Sequence, residues 1–288
     1  SRLDGADSMA EVDAPFVDGL TFGEVLRRTV ERHGGRDAVV FSQSGLRWSY
    51  TEFESRVRET AKALMALRIG KGDHVGIWAT NWPEWILAQF STALIGAVLV
   101  NVNPAYRKHE LAYILKQADI KLLLITDKHK TSDYETIVTE LLPQLNEATV
   151  PGRLSNDAFP KLQHVVSIKP TVSAPGIQLW PSFIEAGARV PDDCVDALRK
   201  NVFAADPVNI QYTSGTTGNP KGAMLSHRNL LMNAYYVGAR QRISEADRLC
   251  IPVPFYHCFG CVMGTLMCAV YGAAVVVPAA SCEPEATR

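Results

Sequence analysis

No charge of one sign dominates this chain of 288 residues: 29 Lys and Arg stand against 30 Asp and Glu, a formal net charge of −1. Such a balance gives no reason to expect a nucleic-acid partner or an anionic membrane surface. Cysteine is scarce, with six residues. That is too few at this length for a disulfide scaffold, so a reduced, cytoplasmic setting is the expectation. A secretory signal is also missing. Residues 1–19 open with Ser1-Arg2-Leu3-Asp4-Gly5-Ala6-Asp7-Ser8, which has no basic start or apolar core and is too acidic for a transit peptide. They read as a tail or tag remnant outside the fold, with Met9 as the native start. No internal repeat or low-complexity tract is present.

One stretch lacks charge altogether. Leu249 to Cys282 contains no Asp, Glu, Lys or Arg, and Cys261–Ala280 is long enough to cross a bilayer. Gly264 and Gly272 interrupt it, Pro278 ends it, and Ala274-Val275-Val276-Val277 is strand-like. A buried helix followed by a buried parallel strand accounts for it, with no transmembrane segment.

Elsewhere, apolar strands alternate with amphipathic helices. Thr21-Phe22-Gly23-Glu24 spells a capping box before a helix that ends at Gly34-Gly35. Ala38–Phe41 and Leu46–Tyr50, joined through Ser44-Gly45, predict a β-hairpin. Thr51-Glu52-Phe53-Glu54 predicts a second capping box, followed by apolar residues at helical spacing to Leu67. Strands at Val75–Trp78, Ala97–Val100 and Lys121–Ile125 then alternate with helices at Trp82–Ile95 and Arg107–Gln117. This pattern predicts βαβ units and a parallel sheet covered on both faces. Residues 128–205, punctuated by proline, are the least regular, with one strand at Leu162–Ser167.

The most informative stretch is Tyr212-Thr213-Ser214-Gly215-Thr216-Thr217-Gly218-Asn219-Pro220-Lys221-Gly222. A strand, Pro207–Tyr212, leads in; Ala223-Met224-Leu225 leads out as another, and Ser226 can cap a helix. Gly215 and Gly218 let successive backbone N–H groups turn into one anion nest. Thr213, Ser214, Thr216 and Thr217 add hydroxyls, and Lys221 adds a compact positive charge. Pro220-Lys221-Gly222 stands where a Walker A loop needs Gly-Lys-Ser/Thr, so the stretch is not an ordinary P-loop. A second stretch, Pro252-Val253-Pro254-Phe255-Tyr256-His257-Cys258-Phe259-Gly260, groups aromatic residues around a histidine. Cys258 and Cys261 also form one C-x-x-C, without the second pair that makes zinc persuasive.

Tyr212–Gly222 closely resembles the phosphate-binding signature of adenylate-forming enzymes: acyl-CoA synthetases, luciferases and peptide-synthetase adenylation domains. Pro252–Gly260 resembles the next motif of that family, and Trp78–Trp85 and Gly96–Pro104 are similar to fatty acyl-CoA synthetases. The resemblance spans residues 20–288 and looks closest to the medium-chain acyl-CoA synthetase branch. It implies an α/β fold with parallel sheets covered by helices on both faces and a β-hairpin near the amino terminus. A sheet subdomain is expected at about 71–238 and a second, incomplete one at about 20–70 plus 240–288.

The implied reaction joins a carboxylate to ATP as acyl-AMP and then to coenzyme A, with Mg²⁺ as the metal. By resemblance, Thr213, Ser214, Gly215, Thr216, Thr217, Gly218 and Lys221 bind the ATP phosphates, with Thr217 the candidate Mg²⁺ contact. Lys221 and His257 are the catalytic candidates, and Tyr256, His257 and Gly260 line the acyl pocket. No aspartate lies between Pro254 and Gly260, which disfavours an amino-acid substrate. The Asn and Trp residues of Trp78–Trp85 and Gly96–Pro104 are expected to shape packing.

In relatives, the adenine-binding motif, ribose-binding aspartate, hinge and carboxy-terminal lysine lie beyond residue 288. The chain is therefore expected to be an amino-terminal piece, nearly inactive alone and acting with small-molecule substrates only. Other readings are an aryl- or other carboxylate-CoA ligase, a non-catalytic nucleotide-binding module, and a metal or redox protein using Cys258 and Cys261.

Overall fold

The computed structural model describes residues 14–169, 172–213 and 219–280. Helix α1 (Phe22–His33) begins at the capping box the sequence spells. The Thr21 hydroxyl accepts from the Glu24 N–H at 3.3 Å, and the Thr21 N–H donates to the Glu24 carboxylate at 2.8 Å. Two N–H groups without partners in the first turn are thereby satisfied.

Strands β1 (Asp37–Phe41) and β2 (Leu46–Ser49) form the predicted hairpin, with Phe41 opposite Leu46. The second capping box lies two residues earlier than the sequence pattern places it. Ser49, not Thr51, caps α2 (Tyr50–Ala66), accepting from the Glu52 N–H at 3.2 Å and donating its own N–H to Glu52 at 2.8 Å. Both stretches carry the same S/T-x-x-E spacing, and tertiary packing decides between them. With Tyr50 as the first helical residue, its hydroxyl reaches the core carbonyls of Cys268 and Ala273 at 2.9 and 2.7 Å.

Next come β3 (His74–Trp78), α3 (Pro83–Ile95), β4 (Val98–Val102), α4 (Lys108–Gln117) and β5 (Ile120–Ile125). Residues 128–205 are more regular than expected. They hold β6 (Lys128–His129), β7 (Ser132–Asp133), α5 (Tyr134–Leu141), α6 (Gln144–Glu147), β8 (His164–Ser167), β9 (Gln178–Leu179), α7 (Trp180–Gly187) and α8 (Asp192–Arg199). Several prolines here start helices instead of marking loops. Pro143 and Pro191 are N-caps and Pro181 lies in the first turn of α7, where a missing N–H costs no bond.

Then follow β10 (Pro207–Thr213), β11 (Lys221–Ser226), α9 (His227–Gln241), β12 (Arg248–Cys250), a short helix α10 (Cys258–Gly260), a π-helical turn at Cys261–Leu266, α11 (Met267–Tyr271) and β13 (Ala274–Val277). Ser226 caps α9 as expected. No helix among the described residues is long and apolar enough to cross a membrane. The uncharged run folds instead into the π-helical turn, α11 and β13.

One sheet has the order β11-β10-β4-β3-β5-β8-β9, parallel throughout except for the antiparallel β10–β11 pair. The second large sheet, β12-β13-β1-β2, takes strands from both ends of the described chain, and β6 and β7 pair as a separate two-stranded hairpin. Along the central strands, side chains alternate between two apolar cores. Val75, Ile77, Leu99, Leu122 and Leu124 enter one, whereas Trp78, Val98, Val100, Leu123 and Ile125 enter the other. Helices thus cover both faces, the arrangement a parallel sheet requires. Helix α3 is buried at every residue from Trp85 to Ile95. It packs against α1, α2, β3 and β4, the position expected of a helix that is apolar on all sides.

Candidate functional site

Because β3, β4, β5 and β10 are parallel, their carboxyl ends, Trp78, Val102, Ile125 and Thr213, lie on one rim of the sheet. Ligands in such sheets bind outside that rim. A cavity of about 390 Å³ opens there, lined by Thr80, Asn81, Asn103, Pro104, Tyr256 and, from the β6–β7 hairpin, His129.

The β10–β11 pair carries the loop stem to this rim. Its last ladder pairs are Tyr212 with Gly222 and Thr213 with Lys221. Thr213 and Lys221 are both exposed, and the Thr213 hydroxyl lies 3.4 Å from the Lys221 carbonyl. Helix α4 touches both strands here. The Tyr113 hydroxyl donates to the Pro220 carbonyl at 3.3 Å, and the Tyr212 hydroxyl donates to the Gln117 side-chain carbonyl. Burial, with the neighbouring phenols of Tyr113 and Tyr106, pushes the Tyr212 hydroxyl up to about 12, so it stays a donor at neutral pH. Ser214, Gly215, Thr216, Thr217 and Gly218 lie outside the described residues. These are five of the seven sequence-derived phosphate contacts, and they include the Mg²⁺ candidate Thr217.

The second motif approaches from the other sheet. Tyr256 is half-buried on the cavity wall. His257 is exposed and is not among the residues lining that wall. It caps α10, its Nδ1 accepting from the Phe259 N–H at 3.2 Å, which leaves the proton of the neutral ring on Nε2. Gly260 is buried and donates its N–H to the His257 carbonyl at 2.9 Å.

Buried amides hold this motif in place. Asn81 donates to the Val253 carbonyl at 2.9 Å and accepts from the Phe255 N–H at 2.8 Å. Asn101, on β4, donates to the Tyr256 carbonyl at 2.9 Å, and its own side-chain oxygen accepts from Asn209 of β10 at 2.9 Å. Gln89, on α3, donates to the Cys261 carbonyl at 2.8 Å. Motif spacing marks Asn81 and Asn101 only as packing residues and does not mark Gln89 or Asn209. The available signal was an amide inside an apolar strand or helix, which is stable only when bonded.

Cys258 and Cys261 are unlinked thiols. Cys261 is buried against the amides of Asn101 and Gln211, and burial pushes its thiol up to about 12. At neutral pH it therefore stays a protonated thiol, which disfavours a nucleophilic role. Among the described residues no group of three His, Cys, Asp or Glu is placed to hold a metal ion.

Residues 26–287 match the family model of AMP-binding enzymes. The chain is 44% identical over 256 residues to YngI of Bacillus subtilis strain 168, which carries the provisional name acyl-CoA synthetase; the match covers 89% of this chain and 46% of YngI. It is 37% identical over 287 residues to the mitochondrial medium-chain acyl-CoA ligase ACSF2 of Danio rerio, covering 96% of this chain and 47% of that protein. Among solved structures, a Rhodopseudomonas palustris protein provisionally described as a long-chain-fatty-acid CoA ligase superposes with a TM-score of 0.73 at 24% identity, covering 93% of this chain and 59% of its own. MbtA of Mycobacterium smegmatis gives 0.73 at 22%, covering 93% and 45%. At these identities the structural likeness speaks for the fold alone. The chain spans about half the length of the curated relatives it matches. With the family model matched over nearly all of its length, the chain belongs to the AMP-binding enzyme family.

Proposed function

We propose that the protein to which this chain belongs is an acid–thiol ligase that activates a medium-chain fatty acid with ATP as acyl-AMP and passes the acyl group to coenzyme A. One observation carries the reading. The strand pair that presents Lys221 opposite Thr213 ends on the same sheet rim as the cavity bordered by Tyr256. The names of the relatives, acyl-CoA synthetase and medium-chain acyl-CoA ligase, support the substrate class, and the scarcity of cysteine supports a cytoplasmic setting, although the ACSF2 relatives are named as mitochondrial.

The first step brings a carboxylate to the α-phosphorus of ATP, so two anions must approach. Charge neutralisation and in-line positioning then matter more than proton transfer. The exposed ammonium of Lys221 neutralises phosphate charge as pyrophosphate leaves. In this reading Thr213, Ser214, Gly215, Thr216, Thr217 and Gly218 cradle the β- and γ-phosphates. Tyr256, His257 and Gly260 border the acyl group, and the cavity at Tyr256 admits the reacting end of the acid. Mg²⁺ in such sites is held largely by substrate phosphates and water. The described residues assemble no ligand set for it, and we assign it no step.

Carboxylate-dependent ATP–pyrophosphate exchange tests this, with a panel of fatty and aromatic acids. In the full-length protein, Lys221→Ala should slow exchange by about 10²-fold or more, and unchanged exchange would count against the phosphate assignment. We further propose that the 288-residue chain is nearly inactive by itself, and robust exchange by it in the same assay would refute that.

A further inference from the structure

Lys221 is the first residue of an edge strand. β11 pairs on one side only, with β10, and Lys221, Gly222, Ala223 and Met224 are all exposed. The residue before Lys221 is a proline, which has no N–H to give to the ladder. Just outside the last ladder pair, Thr213 with Lys221, only the carbonyl of Pro220 itself is left to anchor the backbone. Tyr113 supplies a partner for it from α4, at 3.3 Å.

The same helix holds the other strand. Gln117 lies four residues on and therefore on the same face as Tyr113, and it accepts from the Tyr212 hydroxyl. Tyr212 can lie there because Gly222 leaves room. A Cβ at Gly222 would stand 3.2 Å from Tyr212 Cζ and 2.9 Å from Ile210 Cγ2. One turn of α4 thus grips both strands at the mouth of the pair, β10 through Gln117 and β11 through Tyr113.

We propose that Tyr113 is a positioning residue for Lys221. A lysine on a flexible stem stabilises developing charge only if its backbone is fixed before the charge appears. Tyr113 fixes it at the peptide that joins Pro220 to Lys221. The functional half of this inference rests on Lys221 being a phosphate contact; the structural half does not.

The first test needs no ligand. In the 288-residue chain, Tyr113→Phe removes one hydroxyl and keeps the ring. Hydrogen exchange of the amides at 221–225 should speed up by about fivefold or more, while the amides of β3 and β4 and the melting temperature stay as they were. Unchanged exchange at 221–225 overturns the proposal. So does acceleration spread over the whole sheet, which marks a general packing role. The second test titrates MgATP into the full-length protein, unsubstituted and carrying Tyr113→Phe, Lys221→Ala or both. Tyr113→Phe should weaken binding by about 3–10-fold, and should add almost nothing once Lys221 is gone. Equal losses in both backgrounds overturn positioning through Lys221. If the unsubstituted full-length protein takes up no MgATP, the nucleotide reading loses its support and the hydrogen-exchange result decides Tyr113 alone.

Discussion

His227 follows β11 directly and is fully buried. Its Nδ1 accepts from the Phe22 N–H at 3.2 Å, and the Phe22 ring stands edge-on to it at 5.1 Å. Burial holds the imidazole down to about 4; Asp206 pulls it up and Lys71, paired to Asp206 at 2.6 Å, pushes it down. The folded ring is therefore neutral over a range in which the unfolded ring, at about 6.5, takes a proton. Between these two values the unfolded state binds more protons. Stability from this group is fully present above about pH 6.5 and is lost as pH falls toward about 4, by ~3 kcal/mol in all. His227→Gln should flatten that part of the urea-unfolding profile. If the variant keeps the same fall between pH 6.5 and 4, the histidine is not its source. At this scale the sequence made Lys221 and Tyr256 legible through motif spacing. It did not make His227, Tyr113 or Gln117 legible, because each acts on a residue far away in the chain.

Among the elements, α3 and the π-helical turn show how one buried polar residue shapes another segment. Gln89 sits mid-helix among apolar neighbours. It donates to the Cys261 carbonyl at 2.8 Å and accepts from the Thr265 hydroxyl at 2.6 Å. Thr265 also lies 2.8 Å from that same carbonyl, four residues back. Two side chains thus meet one backbone carbonyl at the start of the turn that is π-helical over Cys261–Leu266. The apolar run there announced a buried helix, but its period does not separate π from α. The capping boxes at Thr21 and Ser49 were legible in kind because they are local; the second slipped by two residues where packing of Tyr50 chose the frame. Gln89→Leu, close in volume, should destabilise the chain by ~1–3 kcal/mol in urea unfolding by removing the two bonds its amide makes to Cys261 and Thr265. A change below about 0.5 kcal/mol would mean that the bonds are made equally well without it.

Over the whole molecule, the alternation of strands and helices announced a parallel sheet with two covered faces, and the structure has one. The strand order, the two-residue strand β9 and the return of β13 to pair with β1 depend on crossovers that leave no local mark. Nor did the sequence reveal how the two sheets are joined. Besides α3, the link runs through α2, which leaves the hairpin of the smaller sheet, and α7, which follows β9 at the far edge of the larger one. These helices meet backbone to backbone at Gly187. A Cβ there would stand 2.5 Å from the Ala63 N and 2.9 Å from the Ala63 Cα, and main chain inside α2 cannot move aside as a flexible side chain can. Gly187→Ala should therefore push α7 off α2 and destabilise the chain by ~1–3 kcal/mol. Gly35→Ala, where an added Cβ meets nothing within 4 Å, serves as the control. Should both variants unfold at the same urea concentration as the parent, the α2–α7 contact would carry none of the cohesion between the sheets, and α3 would have to supply it.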